Sequence, residues 1–419
     1  MTEVFQMYGQ IAEDVAREVD IRISAVERGR LAAHSTESGP AYELYLRASQ
    51  LPITADRRQN TAAAELLKQA LALDPGFALA TAQLSLVYTD RAYSFGESRL
   101  WADSGLVLAQ QAIDDDPTLW WGYWALAMGY LEMGRLNEVA VALRRILDLQ
   151  PSGSSAMLGL GFVKFLRGRV AESVDLWGRA IRLNPTSGTV LANLAAAEHV
   201  FGDYAEAQRW LTAVQALAPG HSYMRVEQVS LALAEGKTSE ALALAERFLA
   251  DRPASFLALQ AVAECWLQAG NYERAGRYLE EMQRVAPEDW NFFGLTHRTL
   301  YGWVLLKLGD AEGGLELLDE VLLDAQRVRD QGDERPGLLR EIAAVYAARG
   351  DRERAYRWLE RAIDSGWRLE RYLPTPLFES LRGEERFQQL MERIDADVRR
   401  MKALVEREGL MPPLPSPPG

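Results

Sequence analysis

The chain carries 46 Lys and Arg against 59 Asp and Glu in 419 residues, a formal net charge of −13, and its isoelectric point lies near 5.0. That balance offers nucleic acid no electrostatic footprint, and a single cysteine, Cys265, excludes an internal disulfide framework. No apolar run reaches membrane-spanning length and no basic-then-apolar leader is read at the N-terminus, so the reducing cytoplasm is expected. The periplasm is the alternative if the sequence belongs to a longer anchored protein.

Residues 2–33 read as one amphipathic helix, with Met7, Ile11, Val15, Val19 and Ile23 at four-residue spacing, inside a linker segment assigned to residues 1–34. Ser35 to Pro40 is a break, and a helical array is expected over residues 35–371. A first helix falls around Ala41 to Gln50; Ala63, Leu67, Ala70 and Pro75 mark a second. From Pro75 to Pro117 the chain runs 42 residues, eight more than the interval that follows, and the surplus is expected near Ser94 to Ser98, between helices.

Then the sequence becomes periodic. Pro117, Pro151, Pro185, Pro219, Pro253 and Pro287 stand 34 residues apart, and Gly134, Gly168, Gly202, Gly236 and Gly270 fall midway between them. A breaker at each half-period means two helices per unit, stacked as a solenoid. The glycine ends the first helix through a positive φ, and the proline cannot extend the second. Pro287 to Pro336 spans 49 residues, with Leu318 and Val321 in a lengthened second helix, and Tyr346, Gly350, Ala355, Leu359 and Ala362 mark a last unit. Residues 372–410 read as a capping segment, irregular to Gly383 and then a charged helix from Glu384 to Glu408. Residues 411–419, with five prolines, are expected to be a disordered tail whose Pro412 to Pro415 spacing also suits a polyproline-binding partner.

The residues between the breakers carry a further pattern. Tyr123, Leu126, Ala127 and Tyr130, then Val139, Leu143 and Ile146, precede Pro151; the next unit has Met157, Leu160, Gly161, Trp177 and Ala180. Leu191, Leu194, Ala195, Ala207 and Leu211 follow, and later Leu259, Val262, Ala263, Trp266, Ala275 and Leu279. This resembles the tetratricopeptide repeat, W-x2-L-G-x2-Y then A-x3-F then proline. The resemblance implies an all-α, right-handed superhelical solenoid of about nine helix pairs. Small residues such as Gly161, Ala195 and Ala263 let paired helices approach, and large ones fill the space around them.

Little in the chain suggests catalysis. His34, His199, His221 and His297 are scattered without ligand-like spacing, so no metal or cofactor is expected. Asp114, Asp115 and Asp116 read as a capped turn before Pro117. No phosphate-cradling glycine loop and no nucleophile elbow is present. Cys265, beside Trp266, reads as a packing residue. The chain is read as not an enzyme.

The resemblance places a concave groove along the second, fifth, ninth and twelfth residues of each first helix. Here that stripe holds Trp121, Trp124, Met128 and Leu131, then Ser155, Leu158, Phe162 and Phe165. It continues through Thr189, Ala192, Ala196 and His199, with Asn193 beside it, then Tyr223, Val226, Ser230 and Leu233, and turns polar at Gln260 and Glu264. Two adjacent helices are therefore apolar on both faces. One reading is a pocket for the apolar side chains of a peptide or partner helix, lined by Trp121, Trp124, Met128, Leu158, Phe162, Phe165, Asn193, His199 and Tyr223. The other is self-burial, by tight curvature or by the helix at residues 2–33. A clamp for chaperone carboxylates is set aside, because Ala125 and Gly159 stand where the partners of Asn193 belong.

The flanks sharpen the resemblance. The run from Val4 to Ala32, AYELYLRA at Ala41 to Ala48, and the stretch from Arg352 to Phe387 look like the segments bracketing the repeats of bacterial signalling proteins. In those proteins a TolB-like domain precedes the repeats, with an adenylate or guanylate cyclase, winged-helix or kinase domain further upstream. Such an output domain is not read here, so the sequence is either a fragment or a free-standing descendant. The function expected is a scaffold or adaptor binding a protein or peptide; the alternative is the regulatory module of such a signalling protein. Nucleic acid and membrane spans are not expected as partners, and self-association into a homo-oligomer is left open.

Overall fold

The computed structural model describes residues 36–53, 57–95, 97–98, 100–217, 221–253, 255–285, 295–333, 335–370 and 375–414. The expected helix at residues 2–33, His34, Pro219, Pro287 and residues 415–419 lie outside the described residues. What is described is an all-α solenoid. Its helices are α1 (Gly39–Ser49), α2 (Arg57–Leu73), α3 (Ala78–Phe95), α4 (Leu100–Asp115), α5 (Trp120–Glu132), α6 (Leu136–Leu149), α7 (Ser154–Leu166) and α8 (Val170–Leu183). They continue as α9 (Gly188–Phe201), α10 (Tyr204–Leu217), α11 (Ser222–Ala234), α12 (Thr238–Asp251), α13 (Phe256–Gln268) and α14 (Tyr272–Val285). The last are α15 (His297–Leu308), α16 (Ala311–Asp330), α17 (Pro336–Ala348), α18 (Arg352–Asp364) and α19 (Glu385–Glu408). Among the described residues α1 to α18 follow one another as nine pairs, and a 3-10 turn at Pro376–Phe378 precedes α19.

The periodic block gives regular helices. The five mid-unit glycines adopt φ between 66° and 80°, the left-handed conformation a following helix needs. Two expectations shift. The eight surplus residues after Pro75 do not form a loop between helices; most of them lengthen α3 to 18 residues and α4 to 16. Hydrogen-bonded helix satisfies the inserted backbone internally, which an irregular bulge does not. The second is at the C-terminus, where Met411 and Leu414 pack against the core and Pro412 is buried, so this part of the expected tail is seated. The lengthened helix expected after Pro287 is α16, 20 residues long, with Leu318 and Val321 buried.

The chain divides into two compact units, Met1–Ser94 with Leu100–Gly129, and Phe95–Arg99 with Tyr130–Gly419. In the first, Ala41, Ala63, Leu67, Phe77 and Leu84 form the core. Close approach there depends on small residues: a Cβ at Gly105 would meet Thr89 Oγ1, and one at Gly129 would meet the Leu106 side chain. In the second, Gly161 does the same for Trp177, whose indole lies over it and donates to the Leu158 carbonyl at 3.1 Å. Trp177, Trp210 and Trp367 are fully buried there.

The second unit also closes on itself. Gly134 lies against Asp333, and Gly168 and Gly366 meet back to back, each leaving no room for a Cβ beside the other's strand of backbone. The Lys402 ammonium reaches Asp203, just past Gly202, at 2.7 Å. Three successive mid-pair turns are thus each met by a residue the same length of chain further on. By contrast nothing comes within 4 Å of a Cβ placed at Gly202 or Gly270. Alanine at Gly202 or Gly270 is therefore expected to cost only the left-handed backbone strain, about 1–2 kcal/mol. At Gly168 or Gly366 the collision adds to it, for about 3 kcal/mol or more in urea unfolding. Equal costs at all four positions would remove the closure contact from the account of stability.

Candidate functional site

The first helix of each pair presents two stripes, one to its partner helix and a second, the stripe expected to line a groove. In the first unit α5 carries Trp121, Trp124 and Met128 on the second stripe. Trp121 is 36% exposed and stacks on Trp120 with centroids 4.3 Å apart; Trp124 and Met128 are half-buried. In the second unit Leu158 and Phe162 on α7 and Asn193 on α9 are half-buried, and Tyr223 on α11 is 40% exposed.

Two of the expected groove residues present no surface. Phe165 is buried with its ring 5.6 Å from that of Trp177, and the turn just beyond it is sealed by Gly366 and Arg368. His199 is buried between α9 and α11, where its Nδ1 lies 2.7 Å from Glu227 Oε1 and its ring meets Tyr204 edge-on. Where the stripe turns polar, the Gln260 amide is used locally: its Nε2 donates to Glu264 Oε1 at 2.8 Å. Burial pushes the Glu264 carboxyl up, against the opposing pull of that hydrogen bond and of Arg340. The acidic triplet behaves as a turn cap, with Asp116 Oδ1 accepting from the Thr118 amide and hydroxyl.

Sequence reasoning missed the charged residues that close the second unit from within. Arg340, at a stripe position of α17, donates from Nε to Glu370 at 3.0 Å and lies over the Trp367 ring, while Trp367 Nε1 donates to the same carboxylate at 2.9 Å. Glu341 beside it accepts from the Thr296 amide and from the Thr296 and Thr299 hydroxyls on the α15 side. A charged pair spaced 30 residues apart is invisible to a 34-residue pattern that ends before it. Elsewhere Leu160, Lys164, Leu176, Leu404 and Leu410 line an open cleft of about 470 Å³ off the stripe. Among the described residues no group of three His, Cys, Asp or Glu is placed to hold a metal ion, and no helix is long and apolar enough to cross a membrane.

Two measurements check this description. Arg340→Ala leaves the Glu370 carboxylate buried beside apolar rings and is expected to cost about 3–5 kcal/mol in chemical unfolding. Burial pushes the Cys265 thiol up to about 12; it should stay unreactive to a thiol reagent at pH 8 while folded and label fully in denaturant.

Three family models, each described as a tetratricopeptide repeat, match residues 125–187, residues 232–295, and residues 188–211 with 342–361. A curated relative, the putative adenylate cyclase 3 of Rhizobium meliloti (strain 1021), is 27% identical over 140 residues. That is 33% of this chain, which spans only 24% of the relative's length. Among solved structures, a tetratricopeptide repeat protein of Parabacteroides merdae ATCC 43184 is 15% identical, covering 59% of this chain and 94% of that one, with a TM-score of 0.44. YrrB, described as having an unusual peptide-binding site, is 19% identical over 43% of this chain and 93% of its own, at 0.29. The human IFIT1 dimer with m7Gppp-AAAA is 14% identical over 89% and 91%, at 0.49.

Proposed function

Because this chain is a tetratricopeptide repeat protein, and so a protein-interaction module, we propose that it is a scaffold that holds a peptide or partner helix against the concave stripe of its first helices. The observation that carries the reading is the exposure of large aromatics on that stripe: Trp121 in the first unit and Tyr223 in the second are both more than a third exposed. Aromatic side chains anchor protein interfaces because they bury much area at little cost in side-chain freedom. Half-buried Trp124, Met128, Leu158 and Phe162 supply apolar surroundings for such an anchor, each within its own unit. The buried Phe165 and His199 hold the backbone of the stripe rather than the ligand. No catalytic step is assigned to the chain, and the cytoplasm is its setting in this reading.

A second reading, the regulatory module of a signalling protein, is favoured by one observation, the likeness to a putative adenylate cyclase. It shares the same biochemistry and adds an output domain whose activity the bound partner would control.

Peptides selected on the wild-type chain from a phage-displayed random library test the proposal. Trp121→Ala or Tyr223→Ala is expected to weaken the peptides bound in its own unit at least tenfold, with unfolding stability changed by less than about 1 kcal/mol. Peptides that bind both variants as tightly as wild type, or a library that yields none, would sink it.

A further inference from the structure

α19 is held at its far end by an unusual arrangement of charge. Glu198 on α9 is 8% exposed, and the charged groups facing it are Asp203 at the α9–α10 turn, Glu206 on α10, and Lys402 and Glu406 on α19. Arg209 holds Glu206 at 2.8 Å, so Glu198, Asp203 and Glu406 are left to one ammonium, Lys402, which lies 2.7 Å from Asp203 and 4.0 Å from Glu406. On the α11 side Glu227 is taken up by His199. Much of the rest of the α19 contact is apolar: Ile394, Val398 and Val405 are buried, and Leu410 and Pro412 lie on α8 where Gly178 leaves room for them. Other carboxylates at α19 are met by arginine: Glu360 by Arg386 at 2.8 Å and Asp364 by Arg393 at 2.7 Å toward its N-terminal end, and Asp397 at its middle by Arg368 and Arg400.

We propose that α19 is a pH-sensitive clasp, fastened over α8 and α9 when Glu198 is protonated and loosened when Glu198 ionises beside Asp203, Glu206 and Glu406. With Glu198 neutral, Lys402 faces two carboxylates; with Glu198 charged it faces three, one of them in a site that water barely reaches. Burial first, and then the neighbouring Asp203 and Glu206, raise the Glu198 carboxyl to about 7. A carboxyl that binds its proton more tightly in the docked state than in water favours docking only while protonated. This contribution is complete below the ordinary glutamate value, declines as pH rises, and is gone above about 7. The clasp therefore works across the neutral range, and it requires no ligand.

The test is amide hydrogen exchange on the full chain at pH 5.5 and pH 8, with protection factors corrected for intrinsic rates and α17 as the internal reference. Protection of α19 is expected to fall about tenfold or more between the two, while α17 holds. Glu198→Gln, which keeps the shape and removes the charge, should abolish the fall. Lys402→Met should lower α19 protection at both values. Constant protection of α19 in the wild type, a parallel fall in α17, a fall that survives Glu198→Gln, or full protection in Lys402→Met would each overturn the proposal.

Discussion

A helix of 13 or 14 residues with apolar side chains on two faces cannot bury both against a single partner. This geometric fact, more than any single contact, organises the chain. Each pair satisfies one stripe internally and must borrow a neighbour for the other, so stability resides in the interfaces between pairs. α9 shows the limit. It is buried on nearly every turn, with α8, α10, α11 and α19 around it, and its small residues Ala192, Ala195, Ala196 and Ala197 are what four neighbours can tolerate.

An array built this way has a problem at its end, where the last pair has a stripe and no neighbour. The solution here is the segment after α18. Trp367, Leu369, Leu377 and Phe378 fill the exposed side of α17 and α18, and Arg340 with Glu370 fixes their position. A buried ion pair is a poor source of stability because both partners lose water. Its value lies in register, since a Trp or Phe slides along an apolar face whereas a two-point hydrogen-bonded carboxylate does not. Glu341, with three donors from Thr296 and Thr299, ties α17 to the α15 side in the same manner.

The legibility of the fold in the sequence follows the range of the forces. Gly134, Gly168, Gly202, Gly236 and Gly270 act on their own φ, so their spacing announced every first-helix end in the block. Gly161 and Trp177 lie within one pair, and their fit was readable for the same reason. The surplus near Ser94 was misplaced because helix lengthening and loop insertion use the same number of residues. The stripe rule located Trp121 and Tyr223 but could not foresee that Phe165 and His199 would be buried. His199 is covered across a neighbouring pair, and the turn after Phe165 is met by Gly366 nearly two hundred residues on. Such contacts depend on the pitch with which pairs accumulate, a quantity spread over every interface and written in no single motif.

The back-to-back meeting of Gly168 and Gly366 has a consequence for the order in which the chain assembles. Contacts between adjacent pairs join residues a few tens of positions apart and can form as soon as each pair exists. Bringing Gly134 to Asp333, Gly168 to Gly366 and Asp203 to Lys402 closes a loop of several pairs, whose entropy is lost before any of the three contacts is gained. A row of stiff, stacked helices has already surrendered most of that entropy by the time its ends approach. The closing contacts are therefore the last to form and the first to yield, and strain applied at the C-terminus would unpeel α19 before it disturbed any helix pair.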